Sequence, residues 1–103
     1  MLKLNPDPTF TADVPLTVPG KAQPVTIQME FKYVAGEAAG KFFEDIATKT
    51  NVEAITTFAV GWKKVDAPFS KEAVEMLLGN YPNAAQEIFA AYQRNLFESR
   101  VKN

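Results

Sequence analysis

Three places in the sequence hold side chains whose types and spacing invite chemistry. Glu44 and Asp45 are neighbours, so on a helix their carboxylates point about 100° apart and do not converge on one substrate atom. A solvated face is the better reading. Glu72 and Glu75 stand three apart, a spacing that puts both on one side of a helix where a hard cation such as magnesium is conceivable, but no third ligand accompanies them. The string Gly36-Glu37-Ala38-Ala39-Gly40-Lys41-Phe42 has the look of a phosphate loop, yet it is one spacer short and lacks the serine or threonine that such a loop places on magnesium. Cysteine and histidine are both absent. That removes thiolate nucleophiles, disulfides, thiolate or imidazole zinc sites and the base of an ordinary serine triad. Carboxylate, lysine, tyrosine and serine chemistry remains, and it needs a pocket that so small a chain has little interior to supply. The expectation is a protein that is not an enzyme and that uses no cofactor and no metal.

Aromatic residues carry a different message. Trp62, preceded by glycine and followed by Asp66 and Phe69, is either an anchor for another protein, because tryptophan concentrates binding energy at interfaces, or a core residue that pins a connection. Ala85, Ile88, Phe89, Tyr92 and Leu96 recur at helical spacing. Phe97 falls beside that stripe, among Gln93, Arg94 and Arg100, where it meets a partner, joins a wide apolar face or buries itself against another copy of the chain. The protein-binding candidates are therefore Trp62, Phe69, Phe89, Tyr92 and Phe97. The apolar faces of the last two helices are the expected surfaces for a client or for self-association.

The elements that must position these residues follow from two periodicities. Residues 1–9, with Asn5, Pro6, Asp7 and Pro8, read as a flexible arm, since proline lacks an amide donor and biases its predecessor toward extension. Phe10, Ala12, Val14, Leu16 and Val18 then alternate with polar residues, as do Val25, Ile27, Met29, Phe31 and Tyr33. The pattern predicts an antiparallel β-hairpin over residues 10–33, reversed at Pro19-Gly20-Lys21-Ala22, with Pro15 requiring either an edge strand or a polar side turned to solvent there. A lone hairpin is marginal in water, so helices or another subunit must cover its apolar face.

From residue 35 to residue 100 the repeat becomes helical. Ala35, Ala38, Ala39, Phe42, Phe43, Ile46 and Ala47 form one stripe. Asn51 is the expected cap of the next segment, but residues 52–61 suit two descriptions: a helix with Val52, Ile55, Ala59 and Trp62 on one face, or a strand with Phe58, Val60 and Trp62 on one side. Ser70 caps a helix carrying Val74, Leu77 and Leu78, which Gly79 and Asn80 are expected to stop. Pro82 opens the last helix. The predicted class is α+β: an N-terminal antiparallel β-hairpin followed by three or four amphipathic helices in a single domain, residues 1–103.

Composition narrows the partners. At 103 residues, 47% hydrophobic and 22% charged, the chain has the make-up of one folded domain. Eleven basic and twelve acidic side chains without a long like-charge run advertise no surface for nucleic acid. No stretch approaches the roughly 20 apolar residues of a membrane span, and the N-terminal sequence lacks the order of a signal peptide. The expected location is the cytoplasm in which the protein is made.

Several segments in order resemble the tail assembly chaperones of siphophages, phages with long non-contractile tails. They are the run from Gly61-Trp62-Lys63-Lys64-Val65-Asp66-Ala67-Pro68-Phe69-Ser70 through Lys71-Glu72-Ala73, then Leu77-Leu78, then Asn80-Tyr81-Pro82-Asn83-Ala84-Ala85, and the ending Glu98-Ser99-Arg100-Val101-Lys102-Asn103. The hairpin ending in Phe31-Lys32-Tyr33 fits the same pattern, so the resemblance spans nearly the whole chain. It implies an oligomeric chaperone of the host cytoplasm, absent from the mature virion, that binds the tape measure protein and keeps it soluble while tail tube subunits assemble around it. It further implies that tail tube protein is recruited through an extended, frameshifted form, of which a chain ending at Lys102-Asn103 would be the short version. The competing expectation is a structural tail or head-tail component that stays in the particle.

Overall fold

Two of the alternating runs become antiparallel strands, β1 (Thr9–Leu16) and β2 (Val25–Lys32), in the computed structural model, which describes residues 1–97. Their register pairs Val14 with Ile27 and Ala12 with Met29, which puts the apolar set of both strands on one face. The reversal closes through Lys21 N–H donating to Val18 O at 3.0 Å, with Gly20 at φ 90° behind Pro19, the arrangement of a type II turn. A third strand, β3 (Ala59–Lys63), pairs with β2, so the sheet order is β1-β2-β3. Pro15 thereby lies on an edge strand, where its missing amide breaks no ladder.

Both descriptions of residues 52–61 apply in part. α2 (Asn51–Phe58) gives way directly to β3. The cap of α2 is Thr50 and not Asn51: Glu53 N–H donates to Thr50 Oγ1 at 3.2 Å and Thr50 N–H donates to Glu53 Oε1 at 3.1 Å, a reciprocal capping box. The backbone amide of Thr50, and then its hydroxyl, hold the Glu53 carboxyl below its usual range. Beyond Phe58 the chain meets the free edge of β2 and extends. A bulge between Glu30 and Phe31 sets Ala59 opposite Phe31 and Gly61 opposite Glu30, leaving Val60 as the extra residue. Trp62, opposite Met29, therefore turns inward while Val60 points out, which regular alternation does not allow.

Before α2 stands α1 (Gly36–Ala47), whose principal helical neighbour is α2 and which buries Ala39 and Ile46. After β3 comes α3 (Lys71–Asn80), capped as expected by Ser70 Oγ, which accepts from Ala73 N–H at 3.0 Å. It runs through Gly79 and ends at Asn80, within the stop expected from sequence, but through an extended Tyr81 cap and not a left-handed Gly79 or Asn80. The last helix is α4 (Ala84–Phe97). It lies against β1 and runs antiparallel to it, because Glu87 meets Thr17 at one end of the strand and Tyr92 meets Phe10 and Lys32 at the other. The core between sheet and helices holds Val14, Met29, Phe31, Ile55, Phe58, Val74, Ile88 and Tyr92, all fully buried. The architecture is the α+β arrangement expected, with a third strand and four helices. The expected helical stretch up to residue 100 and the ending Glu98 to Asn103 extend outside the described residues.

Candidate protein-binding surface

Toward the Leu16–Val25 end of the sheet the inner face is left partly uncovered. Leu16, Val25 and Ile27 on the sheet and Ala73, Met76 and Leu77 on α3 border a groove of about 820 Å³. Its third wall is the loop after β3, Lys64 to Pro68. Met76 is 68% exposed and Val25 38%, so the groove presents apolar side chains to solvent. Asp66, Glu72 and Lys64 supply charge along it.

Trp62 builds the loop wall. Its indole Nε1 donates to Ala67 O at 2.7 Å and its ring meets Phe69 edge-on with centroids 5.1 Å apart. A tryptophan that spends its one donor on the chain five residues later fixes that chain's path. Lys64, within the same loop, takes the left-handed conformation at φ 69°, which an L side chain adopts only against a steric cost. On the opposite side, the Glu87 carboxylate accepts from Thr17 N–H at 2.9 and 3.1 Å and from Thr17 Oγ1 at 2.5 Å, fastening the end of β1 to α4. The groove's loop wall is thus held by the two contacts of Trp62, while the Glu87–Thr17 contacts fix the end of β1 outside the groove.

The five aromatic candidates are dispersed. Trp62 lines the groove, and Phe69 backs it through the edge-on ring contact without lining the groove itself. Phe89 is half-buried against Phe58, with centroids 5.3 Å apart. Tyr92 is wholly buried: its ring stacks on Phe58 at 4.4 Å, and its hydroxyl donates to Lys32 O at 2.7 Å. Burial pushes that hydroxyl up to about 12. Phe97 is 59% exposed at the far end of α4, beside Phe43 at 5.5 Å. Phe89 and Tyr92 therefore face the interior, because the helical stripe that carries them is the one that packs on the sheet.

Reading the sequence misses Met76 and Val25 as surface residues. Met76 had a usable signal, since it lies off the Val74-Leu77-Leu78 stripe just as Phe97 lies off that of α4. Val25 had none, for it sits in register with Leu16 on the face that elsewhere forms the core. The carboxylate pairs Glu44 with Asp45 and Glu72 with Glu75 are exposed, and among the described residues no group of three or more acidic side chains could hold a metal ion. No described helix is long and apolar enough to cross a membrane.

A groove of exposed apolar side chains, bounded by structural hydrogen bonds, is equipped to hold another polypeptide. A family model described as phage tail assembly chaperone matches residues 1–103. The chain belongs to that family. No curated protein and no solved structure matches it. Membership ties this tail assembly chaperone to the building of phage tails.

Proposed function

We propose that the protein binds the tape measure protein by taking an apolar helical segment into the groove between α3 and the sheet, and so keeps that long client soluble while tail tube subunits assemble. The observation that carries this reading is the exposure of Met76 and Val25 across a volume of about 820 Å³. That volume falls within the range of about 300–1,000 Å³ typical of binding clefts. Each leucine-sized side chain that a client buries there contributes about 1.5–3 kcal/mol, and several copies acting along one client multiply the effect. In this scheme the chaperone works as an oligomer in the host cytoplasm, leaves before the virion matures, and engages the tail tube protein through an extended, frameshifted form.

Met76→Asp places a charge in the groove at a residue that is already exposed, so folding is spared. Co-expressed with tape measure protein, the wild type is expected to keep the client in the soluble fraction and to co-purify with it, and Met76→Asp to do neither. Equal recovery of soluble client with both proteins, at unchanged far-ultraviolet circular dichroism, would sink the proposal. Mass spectrometry of purified virions checks the second half, where finding the protein in the particle would favour a structural component.

A further inference from the structure

Leu2 and Leu4 are 85% and 91% exposed, in the segment before β1. They flank Lys3, so in extended backbone both leucines face one way and the lysine the other. Pro6 and Pro8 bias Asn5 and Asp7 toward extension. The chain bends at Leu4 and Asn5 with Lys3 paired to Asp7, so the arm straightens there on docking. The groove at the other end of the sheet shows the complementary features, apolar residues Leu16, Val25 and Met76 with two carboxylates, Asp66 and Glu72, against the single cation Lys64, a net negative lining.

A chain cannot fill its own groove in this way. Leu16 lies seven residues along β1 from Thr9, a separation of about 23 Å at the rise of a strand. Leu4 is five residues before Thr9 and so reaches at most about 18 Å. Leu2 spans the distance only if fully extended along a path beside β1 where α4 already packs.

We propose that residues 1–8 of one copy lie in the groove of a second copy, with Leu2 and Leu4 against Met76, Val25 and Leu16 and Lys3 toward Asp66 and Glu72. Lys3 gives up little in moving there, since its 2.7 Å ion pair with Asp7 is solvent-exposed on both sides. The contact joins two unlike surfaces at opposite ends of the sheet. Resting on the reading of the groove as the client site, the arm is a placeholder: it covers the apolar floor between clients and competes with the tape measure segment for it.

The chain has no cysteine, so engineered ones report without background. Under mild oxidation a mixture of Leu4→Cys and Met76→Cys chains is expected to form the mixed disulfide at least tenfold faster than either variant forms its own dimer. In sedimentation equilibrium Leu4→Asp is expected to lower the self-association constant at least tenfold, the factor that corresponds to 1.4 kcal/mol, and to raise affinity for the tape measure segment severalfold. No preference for the mixed disulfide, or self-association untouched by Leu4→Asp, overturns the proposal. The two readings separate cleanly. Loss of client by Met76→Asp while Leu4→Asp still self-associates defeats the arm and leaves the client site standing; client binding that survives Met76→Asp while Leu4→Asp dissociates does the reverse.

Discussion

The two ends of the sheet are finished in different ways. At the Thr9–Lys32 end large rings close the interior, with Tyr92 stacked between Phe58 at 4.4 Å and Phe10 at 6.1 Å and its hydroxyl seated on Lys32 O. At the Leu16–Val25 end the ring of Trp62 is committed to Phe69 and to the loop, and α3 offers Ala73, Met76 and Leu77 across a gap. The strands themselves do not differ, for the same alternation runs from Phe10 to Leu16. What a sheet face becomes, core or docking surface, depends on the volume that the helices above it deliver. Aromatic rings from α4 and α2 fill one half, while the aliphatic residues of α3 leave the other half for a partner.

The sharpest way to break this contrast is at Tyr92. Tyr92→Ala removes the central ring of the closed end, and with it about 3–5 kcal/mol of stability by analogy with other large-to-small aromatic changes. Denaturant unfolding measures it, and a loss under about 1 kcal/mol, within the ordinary range for surface positions, would mean that the rings do not hold this end together. Tyr92→Phe keeps the ring, strands the carbonyl of Lys32, and is expected to cost about 1–2 kcal/mol. The sign with pH follows from burial. The folded hydroxyl titrates at about 12 against an ordinary 10.0, so its contribution is fully present below pH 10 and is lost as pH rises through 12. The stability difference between wild type and Tyr92→Phe should therefore shrink across that window; a constant difference would count against a buried, protonated hydroxyl.

The closed end was the more legible of the two from sequence. Period-two alternation is a covalent property of an extended chain, so Val14 with Ile27 and Ala12 with Met29 fall on one face whatever covers them. The stripe of α4 told which residues share a side but not whether that side meets sheet or solvent, which is why Phe89 and Tyr92 read as surface and lie inward. The start of α2 was written in Thr50-Asn51-Val52-Glu53, a capping-box spacing that competed with Asn51, itself a good cap. Its end was not written locally, because the change from helix to strand at Ala59 and the inward turn of Trp62 depend on a bulge against β2. The groove was least legible of all. It is a gap between elements far apart in sequence, and no single residue encodes a gap.

Phe97 tests whether the closed end is also a contact surface. Phe97→Ser deletes a ring that is 59% exposed and touches Phe43, so the expected loss is about 1 kcal/mol, with far-ultraviolet circular dichroism unchanged. Because Phe97 and the arm lie at the same end of the molecule, self-association in sedimentation equilibrium is expected to weaken severalfold while capture of tape measure protein stays within twofold of wild type. Loss of the client with Phe97→Ser and its retention with Met76→Asp would invert the comparison, making the aromatic end the docking site.

The smallest effect belongs to the groove's loop wall. Lys64 holds φ 69°, a conformation that costs an L residue about 1–2 kcal/mol and glycine nothing. Against that gain stands the extra freedom of glycine in the unfolded chain, about 0.5–1 kcal/mol. Lys64→Gly should therefore stabilise the protein by about 0.5 kcal/mol, seen as a higher denaturant midpoint at an unchanged slope. The side chain is exposed, so no packing is lost with it. The loop's path is fixed by the Trp62 bond to Ala67 and not by the lysine, and tape measure binding should be retained. If Lys64→Gly lowers stability, or abolishes client capture without altering the fold, the lysine contributes more to the groove than a strained place in its wall, and the open end is built by charge as well as by shape.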